Sequence, residues 1–387
     1  MNYLKQYQLL TNGFDNKKSV IFIDDLKTRI VNCGFDSGFF INNQESFDAA
    51  CAYPDIVETD MLQNKSFTYP VVFSGSAQIA DRAILMLHGL NERSWNKYLV
   101  WAKYLAEETG QAVILFPIAF HMNRSPENWN NPREMSKVAS YRRSQFADLN
   151  DSTYANAALS TRIENDPRQF LISGVQSYID VINLATAIRE GRHPLFKKGT
   201  HINIFSYSVG AFLSEVLVMN NPNNLFRHTK LCLFCGGATF DRMNGASKFI
   251  MDSHAFQRLR SMADMKNFRK LKTYFRKTGN AEIENVWKTL RSMTFLKEGR
   301  KVRERILTKI GSQVYAIGLQ QDKVIPPSAI LLTLKGKKSN LPTQVEIMDF
   351  PFDYSHEVPF PVRNQNAGAQ IDSCFQLVFE KFAAFLK

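Results

Sequence analysis

Cysteine is scarce in this chain, with five in 387 residues: Cys33, Cys51, Cys232, Cys235 and Cys374. An odd, scattered set does not make a disulfide framework and suits a reducing compartment. Cys232 and Cys235 have C-x-x-C spacing, but they lie in the run LCLFC, which reads as a buried strand. Residues three apart on a strand face opposite ways, so core packing is expected there rather than a shared metal. Long apolar runs are also missing, and none approaches the length of a membrane span. The first residues, MNYLKQYQLLTNGFDNKK, show neither the apolar stretch nor the small-residue cleavage site of a signal peptide, so the expected location is cytoplasmic. Acidic residues fall short of basic ones, 36 against 48, a net charge of +12. That excess permits an anionic partner. Much of it sits in one segment, Arg258 to Lys309, without any nucleic-acid motif, so a solvated helical face is expected and nucleic acid is not. No zinc pattern and no dinucleotide loop is present, and neither metal nor organic cofactor is expected.

What the chain does contain is a globular composition, 44% hydrophobic and 22% charged, which excludes a disordered polymer. Its length suits one large α/β domain with insertions or two ordinary domains, and either buries a sizeable core. Thirty Phe and thirteen Tyr leave aromatics to line a pocket as well as to fill that core.

Met1 to Gly75 carries few signals, and residues 1–65 are expected to be an N-terminal extension. Ser19 to Ile23 and Ser66 to Ser74 read as strands, and Gly34, Gly38, the Asn42-Asn43 pair and Pro54 punctuate the rest. These strands suit the antiparallel edge of a larger sheet. From Ala83 the rhythm changes to buried parallel strands alternating with helices. AILMLH (Ala83 to His88) is a strand, Trp95 to Glu108 a helix stopped by Gly110, and AVILFP (Ala112 to Pro117) the next strand. Residues 120–172 interrupt the alternation as a first insertion. Val175 to Ile188 is then a helix ended by Gly191, and His201 to Phe205 a strand. Lys230 to Cys235 follows as a strand, and Asp241 to Ile310 is a second insertion of helical pattern. It is rich in Met and aromatics, among them Phe256, Met262, Phe268, Trp287 and Phe295, a composition that serves a packed core or a lid over an apolar pocket. Gln313 to Gly318 and Gln344 to Phe350 finish the sheet, and Phe375 to Phe385 is the last helix.

The stretch that organises the rest is His201 to Met219, a strand followed at once by a helix with Ser206-Tyr207-Ser208-Val209-Gly210 between them. A serine at so sharp a turn is strained, with its hydroxyl exposed, and its neighbours two before and two after must be small. Ser206 and Gly210 satisfy that demand, and no other serine in the chain is flanked this way. A serine hydroxyl needs a histidine base and an acid to fix that base's tautomer. Asp322, after the Gln313 strand, and His356, after the Gln344 strand, lie at the sheet's carboxyl end, where open α/β proteins bind ligands. Asp241 is a rival acid and His121 a rival base, the latter read as pocket lining together with Tyr207. Asp349 and Asp353 are too near His356 in sequence to orient it, and His88 reads as a structural hydrogen-bonder.

The chain order Ser208, Asp322, His356, the elbow around Ser208 and the early His88-Gly89-Leu90 together resemble the α/β-hydrolase superfamily over roughly residues 66–387. The resemblance implies a mostly parallel sheet flanked by helices, a Ser-Asp-His triad, and a cap built from insertions at about 120–172 and 241–310. It departs from G-x-S-x-G only at Ser206, small for small. It further implies an oxyanion hole made by the backbone N–H groups of Leu90 and Val209. The expected function is a serine hydrolase that cleaves a small-molecule carboxylic ester through an acyl-enzyme. Peptidase, amidase, thioesterase and acyltransferase chemistry run on the same triad. A non-catalytic binding protein on this scaffold is the reading of another class, and such proteins commonly lack a triad member, whereas all three positions are filled here.

Overall fold

The computed structural model describes residues 1–38, 62–75, 78–262, 264–276 and 281–387. Cys51, the Asn42-Asn43 pair and Pro54 lie outside the described residues. Helix α1 (Tyr3–Gly13), capped by the Asn2 side chain, leads into β1 (Val20–Ile23) and β2 (Thr28–Asp36). A single turn, α2 (Leu62–Lys65), precedes β3 (Ser66–Ser74) and β4 (Ala80–Leu87). Helix α3 (Asn96–Thr109) stops at Gly110, whose φ of 67° is the left-handed conformation that ends helices. After β5 (Ala112–Phe116) the first insertion supplies α4 (Pro132–Gln145) and α5 (Ala157–Asn165).

Helix α6 (Arg168–Glu190) starts seven residues before the expected Val175. The N-terminal part escapes a hydropathy reading because Arg168, Gln169, Ser173 and Gln176 are buried polar groups. Among the described residues α6 is the one helix long and apolar enough to cross a bilayer, but 72% of that window is buried inside the protein, as in a core helix. Strand β6 (Phe196–Tyr207) and helix α7 (Val209–Asn220) follow, then β7 (Leu231–Phe234). The second insertion contains α8 (Ser253–Met262), α9 (Met265–Arg276), α10 (Ala281–Thr294) and α11 (Arg300–Ile310). Strand β8 (Val314–Leu319), α12 (Pro327–Leu334), β9 (Gln344–Met348) and α13 (Gly368–Leu386) complete the chain.

The described strands form one sheet in the order β1-β2-β3-β5-β4-β6-β7-β8-β9. From β4 to β9 every neighbouring pair is parallel, whereas β1, β2 and β3 run antiparallel at one edge. Residues 3–36 therefore belong to the same layered body as the rest, with α1 packed on α3 and α13. Strand β4 from Ala83 onward and all of β5 and β7 are buried on both faces, as expected of parallel strands covered by helices on either side. One apolar core, beneath α6, α7, α12 and the cap, includes Leu85, Ile204, Val216 and Ile330; the other, beneath α1, α3 and α13, includes Trp101, Phe205, Phe234 and Phe379.

Cys232 and Cys235 are both fully buried free thiols, but on the same side of the sheet rather than on opposite faces. The reason is that Cys235 lies past the end of β7 with φ 46°, so strand alternation no longer applies to it. The two insertions pack together through α5 and α8. Arg142 on α4 grips Asp252 with Nε–H···Oδ2 at 2.7 Å and Nη2–H···Oδ1 at 2.9 Å, both side chains buried. Most Met and aromatic residues of the second insertion, including Phe256, Phe268, Trp287 and Phe295, are packed inside it. Its basic residues mostly point outward, Arg258, Arg260, Lys266, Arg269 and Lys288 being exposed and Arg303 an exception.

Candidate active site

Strand β6 ends at Tyr207 and α7 begins at Val209, so Ser208 alone makes the reversal, at φ 57° and ψ −123°. That combination is sparsely populated for any residue with a side chain and is held by the strand and helix that it joins. A Cβ at Gly210 would sit 2.6 Å from the Leu87 carbonyl oxygen and 2.7 Å from that of His88, which is why only glycine fits. Ser206 does more than stay small: its hydroxyl lies 2.7 Å from Ser214 Oγ and 3.3 Å from the Cys232 carbonyl, bonding strand to helix. Gly210→Ala is expected to push α7 away from the end of β4, lowering stability by about 1–3 kcal/mol and slowing any reaction at Ser208. Urea denaturation and the rate of fluorophosphonate labelling measure the two effects.

Asp322 follows β8 in a tight turn. Its Oδ1 accepts the backbone N–H of Val324 at 2.9 Å and of Ile325 at 2.8 Å, leaving Oδ2 to take His356 Nδ1 at 2.7 Å. His356 Nε2 lies 2.7 Å from Ser208 Oγ. A carboxylate only accepts, so Nδ1 carries the proton and Nε2 presents its lone pair to the serine hydroxyl, the tautomer of a general base. All three side chains are buried, each residue 4% exposed. Tyr207 does not face the apolar cavity described below. It stacks on the His356 ring at 5.5 Å between centroids, and its hydroxyl donates to the His356 carbonyl. Burial raises the Tyr207 pKa well above 10, so the hydroxyl remains a donor that pins the histidine loop.

The rivals are placed elsewhere. Asp241 accepts from the Thr239 hydroxyl at 2.7 Å and from Leu296 N–H, fixing the base of the second insertion. Asp349 accepts from the Tyr354 hydroxyl and the Gln321 amide. His121 lines the cavity. His88 is fully buried, its Nδ1 bonded to the Gly89 carbonyl at 2.8 Å and its Nε2 accepting Ile118 N–H at 2.9 Å. Burial first, then the neighbouring His121, hold its pKa well below the usual 6.5, so this ring is a neutral strut between the ends of β4 and β5.

The loop after β4 is held by groups that sequence reasoning did not single out. Gly89 N–H donates to the Tyr98 hydroxyl at 3.0 Å, which donates to Glu92 Oε1 at 2.9 Å, and Glu92 pairs with Lys97. Asn91, with φ 61°, donates to the carbonyls of Ala155 at 2.8 Å and Phe249 at 2.6 Å, tying the loop to both insertions. Gly89 N–H is thus committed, and Val209, as first residue of α7, has an N–H with no acceptor inside the helix. Leu90 and Val209 both border an apolar cavity of about 840 Å³ whose other walls include Ile163, Val175, Phe212 and Leu290. From the second insertion it takes the aliphatic Ile283, Val286 and Leu290 of α10 rather than the aromatics. Leu90 also borders a more polar cleft with Arg93, Ser94, Asn130, Tyr154 and Glu357 on its walls.

The strand order with its antiparallel edge, the serine elbow between a central strand and the following helix, and the acid and histidine after the next strands define an α/β-hydrolase scaffold. The chain belongs to the family described as a family of unknown function (DUF6051), whose model matches residues 1–387. No curated protein matches the sequence. Among solved structures the chain is similar to carboxyl esterase 2 of Tuber melanosporum, at 12% identity over 84% of this chain and 82% of that one, with a TM-score of 0.46. It is similar also to a Rhizomucor miehei esterase (10% identity, 92% and 83% covered, TM-score 0.43). A third is the peroxisomal alpha-beta-hydrolase of Saccharomyces cerevisiae (13% identity, 92% and 90% covered, TM-score 0.40). Likeness at this level carries nothing about activity, and the fold rests on the strand order and pairing given above.

Proposed function

We propose that the protein is a serine hydrolase that cleaves a carboxylic ester through an acyl-enzyme. The observation that carries this reading is the unbroken relay from Asp322 through His356 to Ser208, with 2.7 Å at each step. Ser208 Oγ attacks the ester carbonyl while His356 Nε2 takes its proton; His356 returns the proton to the departing alkoxide oxygen, and water repeats the sequence to release the acid. The N–H groups of Leu90 and Val209 are the donors for the tetrahedral oxyanion, each worth about a hundredfold to a thousandfold in turnover. The acyl chain lies in the apolar cavity beside them, and the leaving group faces the polar cleft.

Two measurements test this. The first is labelling by a fluorophosphonate probe, expected at Ser208 and lost in Ser208→Ala; labelling that persists identifies another nucleophile. The second is hydrolysis of p-nitrophenyl esters of graded chain length. Each methylene that enters the cavity is expected to raise kcat/KM about fourfold, from ~0.8 kcal/mol per buried CH₂, through short to medium chains until the end wall is reached. A flat profile removes the cavity from the site.

A further inference from the structure

A third cavity, about 310 Å³, lies between the two already described and has walls in common with both. It shares His121, Leu159 and Arg162 with the apolar chamber, and Asn91, Glu92 and Arg93 with the polar cleft. His121 is the group whose chemistry decides what this junction takes. The residue is 6% exposed, and its Nδ1 lies 2.9 Å from the Ala119 carbonyl, which only accepts, so Nδ1 holds the proton. Burial foremost, then the guanidinium groups of Arg162, Arg124 and Arg93, lower its pKa to about 4, and the ring is neutral. Nε2 is therefore a bare lone pair. It is buried and has no hydrogen-bond partner among the described residues.

The donors nearby are turned elsewhere. The Arg93 guanidinium donates to the carbonyls of Trp129 and Ala155. The Asn91 amide donates to Ala155 and Phe249, and the Ser125 hydroxyl to the Met122 carbonyl at 2.8 Å. Arg162 lies over the Phe120 ring at 3.7 Å and donates to Gln169 Oε1. An acceptor in this position calls for a donor on whatever occupies the junction, since a buried polar atom left unpaired costs about 1–3 kcal/mol. An ammonium group is repelled by the arginines, since Glu92, the carboxylate in this wall, is already engaged by Lys97 and the Tyr98 hydroxyl, and a carboxylate meets the lone pair head-on. A hydroxyl satisfies it. The position along the substrate follows from where His121 itself lies: it lines the chamber that Leu90 and Val209 border and is not among the residues of the polar cleft, which puts it on the acyl side of the reacting carbonyl.

We propose that His121 Nε2 accepts a hydrogen bond from a hydroxyl on the acyl group of the substrate, making the enzyme selective for hydroxylated acyl esters with an apolar tail. This deepens the ester-hydrolase reading and rests on it. The test uses the full-length protein and ethyl esters of one chain length, unsubstituted, hydroxylated at successive carbons from the carbonyl, and O-methylated at the same carbons. At one position the hydroxy ester is expected to exceed both the unsubstituted and the methoxy ester about tenfold in kcat/KM, the worth of one buried hydrogen bond. That ratio falls to about one in His121→Leu and survives in part in His121→Gln, which keeps an acceptor oxygen.

No favoured hydroxyl position in the wild type, a methoxy ester as good as the hydroxy ester, or a ratio that persists in His121→Leu overturns the proposal. A matched ester with an amide N–H in place of the hydroxyl and a larger gain overturns the choice of hydroxyl. If Ser208 is not labelled and no ester turns over, the hydrolase reading fails separately. Calorimetry with the free hydroxy and unsubstituted acids then decides the subsite, and equal affinities overturn it.

Discussion

Asp322→Asn is expected to keep its fold and lose about 10⁴-fold in kcat, and Ser208→Ala about 10⁶-fold. The first figure follows from which atom of the new amide faces the histidine. Asp322 Oδ1 is pinned by the N–H groups of Val324 and Ile325, so the amide oxygen takes that place and the NH₂ group turns to His356 Nδ1. Nδ1 must then accept, which moves the ring proton to Nε2, so that this nitrogen donates to Ser208 Oγ and has no lone pair with which to take the serine proton. Turnover of the best p-nitrophenyl ester, with a melting curve to confirm folding, measures the loss. An Asp322→Asn protein that turns over at the wild-type rate would mean that the acid does not set the tautomer, and the assignment of roles would fall.

Much of the sheet was legible because a parallel strand covered on both faces has no polar side to interrupt it. AILMLH, AVILFP and LCLFC lie within a few residues of β4, β5 and β7. Strand β2 was missed for the opposite reason. Along TRIVNCGFD many side chains are only half-buried, and Gly34 reads as a turn although the strand pairs through it with Thr68. The extension of β6 back to Phe196 was hidden by the exposed Lys197, Lys198 and Gly199. Helix α12 went unread for its brevity: PSAILLTL is eight residues between two loops.

At the site, sequence order placed Ser208, Asp322 and His356 because each follows a strand that is itself easy to see. The supporting groups left no such trace. Tyr207 sits inside the elbow pentapeptide, yet nothing in sequence tells that its hydroxyl reaches a carbonyl 149 residues away. The chain from Gly89 through Tyr98 to Glu92 is a further case, local along the chain but closed only by the way α3 docks. His121 was legible as lining. Its free lone pair was not, because the tautomer depends on the path of the backbone at Ala119.

Glu215→Gln is expected to stabilise the protein, by an amount that grows with pH. Glu215 lies on α7, seven residues past Ser208, 3% exposed, and neither carboxyl oxygen has a hydrogen-bond partner among the described residues. Burial pushes its pKa well above the usual 4.5, and the opposing pull of Arg303 is the smaller effect. The Arg303 guanidinium donates through its Nη atoms to the carbonyls of Ser292, Phe295 and Leu296, and its buried Nε–H makes no hydrogen bond to the carboxylate. With the folded pKa raised, the native state holds a proton that the unfolded chain releases above about 4.5. The stability associated with that proton is therefore complete below 4.5 and is lost at ~1.4 kcal/mol per pH unit until the folded pKa is passed. Glutamine keeps the shape and has no proton to release, so its melting temperature should exceed the parent's by more at pH 8 than at pH 5. A gap that stays constant with pH would mean that Glu215 is ionised in the folded protein and held by Arg303. In that event α7, which carries the serine at its start and Phe212 in the cavity wall, would be anchored to α11 of the cap by charge instead of by packing alone.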